Sequence, residues 1–96
     1  MAEEKNFENK VKRFLSAEGC YYVKQFGCAF TKSGVPDLLI CVNGKFVAVE
    51  LKAIKGKPSM LQLINLEQIK KSGGISMILY PTEFENFKRL IKEMKK

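Results

Sequence analysis

The 96-residue sequence contains no histidine. This absence excludes the Ser-His-Asp triad, the Cys-His dyad, histidine-based zinc sites and two-histidine acid–base chemistry of the ribonuclease type. Any catalysis by this chain must therefore use carboxylates, lysine, or a metal ion held by oxygen ligands.

Cysteine is scarce, and its three positions, Cys20, Cys28 and Cys41, form no CxxC pair. Their number is odd, and Cys41 lies within an apolar run. These features predict reduced thiols in a cytosolic fold rather than a disulfide framework or a zinc site.

Long apolar runs and low-complexity stretches are also missing. No run approaches the roughly 20 residues that a membrane helix needs, and the charged start, MAEEKNFENKVKRF, lacks the apolar stretch of a signal peptide. The composition is 46% hydrophobic, which predicts one globular domain over residues 1–96. We expect a cytoplasmic protein, or one in the host cytoplasm if it is phage-encoded.

Acidic residues are outnumbered by basic ones, 10 to 17, which gives a net charge of +7. So large an excess on a small chain favours a polyanionic partner, most often nucleic acid. Solubility alone is the alternative explanation.

Apolar periodicity and turn signals predict an α/β fold in the order α-β-β-β-α-β-α, a mixed sheet flanked by helices. The last strand is apolar throughout, which predicts an interior position in the sheet. Thr82 and Glu85 predict a capping box for the last helix. The predicted helices span about 3–17, 60–71 and a segment after Pro81, and the predicted strands span 20–26, 37–42, 45–52 and 75–80.

The Asn43-Gly44 pair predicts a tight hairpin turn, because both central residues of a type I′ turn need positive φ. This turn sets a register in which Val42 pairs with Lys45 and, at the far end, Asp37 meets Glu50. Lys52 lies two residues beyond Glu50 and so on the same face. Both faces of the hairpin are mainly apolar, which predicts burial on both sides.

Two opposed carboxylates destabilise a strand pair, and partial burial increases their repulsion. Lys52 could neutralise one acid, with the other left in solvent. Alternatively, a divalent cation could bridge both acids, and Mg²⁺ or Mn²⁺ suits carboxylate oxygens. Such an ion polarises a phosphodiester.

These residues resemble a known family. Pro36-Asp37 followed by Glu50-Leu51-Lys52 is the PD…ExK pattern of the restriction-endonuclease-like nucleases. The segments SGVPDLLI and GKFVAVELKAIKGKPSMLQLINLEQIKKSGG are more specific, since they resemble the VRR-NUC branch with its GxPD, (V/A)E(V/L)K and GxxSxxQ motifs. The resemblance extends from about Glu8 to Tyr80 and identifies the chain as similar to a stand-alone VRR-NUC nuclease.

The resemblance implies a Mg²⁺- or Mn²⁺-dependent phosphodiesterase. Asp37 and Glu50 would be metal ligands, with the backbone carbonyl of Leu51 as a third oxygen. Lys52 would position or activate the attacking water.

The resemblance also implies two supporting residues. Gln62 would support the site from the following helix, although it could instead form half of a capping box with Ser59. The family places a metal-binding Glu on the first helix, and Glu8, which shares the stripe of Val11 and Leu15, is favoured over Glu4. A solvated acid at a helix N-terminus is the alternative.

Basic and polar residues flank the predicted site and could hold phosphates of DNA, which would make binding strongly salt-dependent. No segment resembles a base-reading helix, so we expect recognition of shape rather than sequence. The candidates for nucleic-acid binding are Lys24, Lys32, Ser33, Lys55 and Lys57.

The helix after Ser59 carries apolar residues around nearly its whole circumference. Such a helix is buried or covered by a partner, so we expect a homodimer, with cover from the last helix as the alternative. A two-fold dimer has two sites and suits four-way (Holliday) junctions. Taken together with the resemblance, whose stand-alone members act on branched DNA, this predicts a structure-selective DNA endonuclease that resolves junctions as a homodimer. A nuclease that prefers flaps, nicks or a sequence, and a non-catalytic DNA-binding module, are the alternatives.

Overall fold

The computed structural model describes residues 2–26 and 32–96, so Cys28 lies outside the described residues. The predicted order of elements is confirmed, with a short 3₁₀ helix added before the last α-helix. The helices are α1 (Ala2–Ala17), α2 (Met60–Lys71), the 3₁₀ helix (Pro81–Glu83) and α3 (Phe84–Met94), and the strands are β1 (Tyr21–Lys24), β2 (Leu38–Val42), β3 (Lys45–Leu51) and β4 (Ile75–Leu79).

The four described strands form one mixed sheet in the order β1-β2-β3-β4. β1, β2 and β3 pair antiparallel, whereas β4 runs parallel to β3. The interior position predicted for β4 is therefore wrong, because β4 is the edge of the described sheet. Its apolar sequence reflects contact with helices on both faces rather than strands on both sides.

The register predicted for the hairpin is confirmed over five pairs, from Val42 with Lys45 to Leu38 with Val49. The turn has φ of 51° at Asn43 and 81° at Gly44, as a type I′ turn requires. Asp37 immediately precedes β2, and Glu50 lies in β3. The hairpin therefore brings both acids to the end of the sheet that is far from the turn.

One face of the hairpin forms the hydrophobic core beneath α1 and α3. The two helices meet through the edge-to-face pair of Phe7 and Phe84, whose ring centroids are 5.7 Å apart. The buried residues of this core are Phe7, Val11, Leu15, Leu38, Ile40, Val42, Val47, Val49, Leu51, Leu79, Phe87 and Ile91. This rigid layer holds the strand ends that carry Asp37 and Glu50.

The opposite face of the hairpin is buried only in part, so the prediction of burial on both sides is wrong. Ala48 and Glu50 are buried there, but Phe46 is 46% exposed and Cys41 is exposed. The reason is that α2 covers this face over β3 and β4, where the hydroxyl of Ser76 donates to the carbonyl of Leu66 at 2.7 Å.

The capping box predicted at Thr82 and Glu85 does not form. Pro81 starts the 3₁₀ helix, so α3 begins one residue later than the box requires, and its N-cap, Glu83, makes no side-chain capping bond. Glu85 instead pairs with Lys88 at 2.9 Å.

Among the helices of the described residues, none has both the length and the apolar content to cross a membrane.

Candidate active site

Asp37 is fixed by main-chain contacts on both sides. Its carboxylate Oδ2 accepts a hydrogen bond from the amide of Leu51 at 2.9 Å, and its carbonyl accepts one from the amide of Gln25 at 2.7 Å. The side chain of Asp37 is about a quarter exposed. One carboxylate oxygen thus ties the acid to β3 while the side chain still reaches solvent.

The loop before Asp37 is held against α2 by Gly34 and Asn65. The Asn65 side chain donates to the carbonyls of Ser33 at 3.2 Å and Leu61 at 2.8 Å, and it is 7% exposed. Gly34 has a φ of 82°, and a Cβ there would lie 2.7 Å from the Leu61 carbonyl oxygen. Only glycine permits both this backbone conformation and this close approach.

Replacing Gly34 with Ala is expected to lower the free energy of unfolding by about 3 kcal/mol, because positive φ and overlap with α2 add together. Gly44→Ala is the matched control, since Gly44 has a φ of 81° but no atom within 4 Å of an added Cβ. The control should lose only about 1 kcal/mol. Urea denaturation measures both, and equal losses would show that the contact with α2 is unimportant.

Glu50 is a buried acid with one satisfied oxygen. It is 3% exposed, and its Oε2 accepts from Gln62 Nε2 at 2.8 Å and lies 3.4 Å from Lys52 Nζ. No described residue donates a hydrogen bond to the buried Oε1. Burial, with the charge of Asp37 second, raises the pKa of Glu50 from 4.5 to about 7, although Lys52 opposes the shift. At neutral pH this site therefore favours a proton or another cation.

Lys52 follows β3 immediately and is anchored through its main chain, whose amide donates to the Leu79 carbonyl at 3.1 Å. Its ammonium group points to Glu50, as the register predicted. The side chain of Leu51 is buried in the core, at 2% exposed, so only main-chain atoms of Leu51 can serve this site.

Gln62 combines both of the roles considered from the sequence. Its Oε1 accepts from the Ser59 amide at 2.8 Å, and its own amide donates to the Ser59 hydroxyl at 3.2 Å, which completes a capping box. Its side-chain nitrogen, Nε2, donates to Glu50 Oε2. The start of α2 is thereby coupled to the buried acid.

Glu8, rather than Glu4, reaches the sheet. Glu8 is 7% exposed, whereas Glu4 is exposed. Burial alone would raise the pKa of Glu8, but its close contacts with the ammonium groups of Lys12 and Lys24 outweigh that effect and lower it.

Lys24 differs from the other candidates for nucleic-acid binding. Its ammonium group lies 3.0 Å from Glu8 and 3.6 Å from Asp37, and its side chain is 19% exposed. Burial disfavours its charge, but the two acids more than compensate and raise its pKa. Lys24 thus belongs to the acidic cluster rather than to the surface.

The remaining candidates, Lys32, Ser33, Lys55 and Lys57, are exposed. Lys55 and Lys57 lie on the loop after Lys52, and this loop is tied down where the hydroxyl of Tyr80 donates to the Gly56 carbonyl at 2.9 Å. Lys32 instead lines a cavity with Phe46 and Gln68, and Phe46 lies near the turn end of the hairpin.

Sequence reasoning missed Asn65 and Tyr80 as residues that position the site. Asn65 occupies a polar position on an otherwise apolar helix, and that contrast could have indicated a buried hydrogen bond. Tyr80 ends an apolar strand and gave no comparable signal.

The fold agrees with that of known structures. A solved structure described as a VRR_NUC domain matches with a TM-score of 0.76 and 27% identity, covering 94% of this chain and 95% of the other. Hjc from Archaeoglobus fulgidus, described as a Holliday junction resolvase, matches with a TM-score of 0.61 and 18% identity, covering 79% of this chain and 66% of the other. No family model and no curated protein matches the sequence.

The chain therefore has the restriction-endonuclease-like fold. Within that class it is similar to the VRR_NUC domain structure over nearly the whole length of both chains.

Proposed function

We propose that this chain is a divalent-metal-dependent, structure-selective DNA endonuclease. The observation that carries the proposal is the arrangement of Asp37, Glu50 and Lys52 at one end of the hairpin, where a buried carboxylate oxygen has no donor among the described residues. Restriction-endonuclease-like folds and a net charge of +7 fit a polyanionic substrate.

The donor set fits a hard cation. Glu50 Oε1 is a buried, unpartnered carboxylate oxygen, and Asp37 is close enough to raise the pKa of Glu50. Asp37, Glu50 and the carbonyl of Leu51 would hold Mg²⁺ or Mn²⁺, which favour one or two carboxylates together with water. The ion would supply Lewis acidity toward a phosphodiester oxygen.

The chain's own residues then have distinct tasks. Lys52 places a positive charge beside Glu50, where it orients the attacking water and offsets the charge that develops on the phosphate. Gln62 fixes the rotamer of Glu50, and the Leu51 amide fixes that of Asp37. Lys32, Ser33, Lys55 and Lys57 contact the DNA backbone.

We further propose that the substrate is branched DNA, with a four-way junction cut by a homodimer. Hjc, the resolvase with the same fold, supports this substrate class. On α2, four apolar residues are between 43% and 71% exposed: Met60, Leu61, Leu63 and Ile64. α3 packs beneath the sheet against α1 and does not cover them, so a second copy would bury a surface that is costly to leave in water.

Incubation with four-way, flap, nicked and linear duplex DNA, each with Mg²⁺, Mn²⁺ or EDTA, tests the function. We expect cleavage of the four-way junction in either metal and none in EDTA. Cleavage in EDTA would refute the metal requirement. Binding without cleavage in both metals would show a non-catalytic module.

The dimer predicts a specific effect of charge on α2. Ile64→Glu is expected to dissociate the protein into monomers, because it places a charge within the apolar surface. Lys70→Glu, at an exposed position on the same helix, should leave the dimer intact. Sedimentation over a range of protein concentrations measures both, and a monomeric wild-type protein would contradict the proposal.

The two roles of Gln62 can be separated by experiment. Ser59→Ala removes the helix cap and is expected to lower the free energy of unfolding by about 1 kcal/mol, with cleavage nearly unchanged. Gln62→Leu should cost a similar amount and also reduce cleavage by about tenfold or more, since Glu50 loses its donor. If both variants cleave equally well, Gln62 acts only as a cap.

A further inference from the structure

Lysine side chains surround the carboxylate of Glu8. Lys24 Nζ lies 3.0 Å from its Oε1, Lys12 Nζ lies 2.7 Å from its Oε2, and Lys5 Nζ lies 4.0 Å from Oε2. A divalent ion bound to Glu8 would meet Lys12 and Lys24, whose side chains are only 25% and 19% exposed, at short range, and such repulsion is strong where water is largely excluded. Lys5 is 66% exposed, so water screens its charge.

Lys24 also joins Glu8 to Asp37. Its ammonium group is 3.6 Å from Asp37 Oδ1, and the pairing of β1 with β2 fixes this position, because Lys24 pairs with Leu38, next to Asp37 in sequence. The ammonium group therefore occupies the place that a cation shared by Glu8 and Asp37 would take.

The other side of Asp37 is different. Among the described residues, Glu50 meets one ammonium group, that of Lys52 at 3.4 Å from Oε2. Its Oε1 has no hydrogen-bond donor there. Glu8 Oε2 also lacks a donor of good geometry, but Lys12 Nζ lies 2.7 Å from it. In the same part of the chain, no three side chains of Asp, Glu or Cys converge as an ion-binding group. Glu8 and Asp37 thus already share a cation, the ammonium group of Lys24, whereas Glu50 Oε1 has no donor among the described residues.

We propose that Lys24 takes the place of a second metal ion, so that each chain binds one divalent ion, between Asp37 and Glu50. In this proposal Glu8 anchors Lys24 and is not a metal ligand, in contrast to the role that the family resemblance implies. The inference rests on the proposed function, because it concerns the ion which that function requires.

Titration of the full chain with Mn²⁺ in the absence of DNA tests the proposal. Calorimetry and the electron paramagnetic resonance signal of free Mn²⁺ give the number of ions bound per chain. We expect one ion for the wild type and for Lys24→Arg, which keeps the charge. Lys24→Met opens the space between Glu8 and Asp37, so we expect two ions, and Lys24→Met combined with Glu8→Gln should return the number to one.

Lys70→Met, at an exposed position on α2, is the matched control and should bind one ion. Circular dichroism confirms that each variant folds. Two ions or none on the wild type would overturn the proposal without any variant, and one ion on folded Lys24→Met would overturn it as well. One ion on the wild type without DNA cleavage would instead refute the proposed function and leave this inference standing.

Discussion

Replacing Asp37 with Asn is expected to reduce junction cleavage on the order of 10³-fold while the fold stays intact. An asparagine side chain still offers an oxygen to the Leu51 amide, which now donates to Asp37 at 2.9 Å, so the connection to β3 survives. The charge is lost, and with it one of the two carboxylates that would hold the ion. Initial cleavage rates at saturating Mg²⁺ measure the effect.

Glu85→Gln is the matched control for this variant. Glu85 is an exposed residue of α3 that pairs with Lys88, so neutralising it removes one negative charge outside the cluster of Asp37, Glu50 and Lys52. Its cleavage rate should stay within about twofold of the wild type. Comparable rates for Asp37→Asn and the wild type would show that the acid cluster is not the catalytic site.

Lys52→Met extends the same test to the basic member of the cluster. Its main-chain bond to Leu79 does not depend on the side chain, so β3 should remain paired with β4. Removal of the ammonium group should still lower the cleavage rate by about 10²-fold or more. An unchanged rate would assign Lys52 to charge balance alone.

The hairpin and its acids could be predicted because their causes are local. Asn43 and Gly44 define the turn, and the alternation of side chains then places Glu50 and Lys52 on one face without further information. The five observed strand pairs follow this rule. The register of a hairpin is determined by the few residues of its turn and two strands, and these residues are close together in sequence.

The environment of Lys24 could not be predicted in the same way. Its partners, Glu8 and Asp37, lie 16 and 13 residues away on different elements, so their meeting depends on how α1 packs against the sheet. The sequence shows only that Lys24, Glu8 and Asp37 are present. The packed fold is needed to show that the ammonium group of Lys24 lies between the two carboxylates. The exposure of Cys41 and Phe46 could not be predicted for the same reason. How much of their face of the sheet α2 covers depends on the packing of elements that are distant in sequence.

The raised pKa of Glu50 predicts that the free energy of unfolding falls as the pH rises. Its pKa is about 7 in the folded chain against an ordinary value of 4.5, so the folded state binds the proton more tightly than the unfolded state does. The favourable contribution is complete below pH 4.5 and is lost as the pH rises through 7. The metal-free protein should therefore be less stable at pH 8 than at pH 5.

Glu50→Gln should remove this dependence, because glutamine carries no charge at either pH. At pH 8 without metal, we expect the variant to exceed the wild type by about 2 kcal/mol in free energy of unfolding. At pH 5 the two proteins should differ little. Urea denaturation in EDTA at both pH values provides the comparison, and Glu67→Gln, at an exposed position on α2, should behave as the wild type does.

Mn²⁺ should reverse the order of stability at pH 8. An ion that binds only the folded state raises the free energy of unfolding, and the gain grows with the logarithm of the ratio of ion concentration to dissociation constant. The wild type gains this stabilisation, while Glu50→Gln has lost a negative ligand and gains little. If Glu50→Gln is less stable than the wild type at pH 8 in EDTA, the buried charge of Glu50 is already compensated by other groups of the chain. The reason to expect an ion between Asp37 and Glu50 would then disappear.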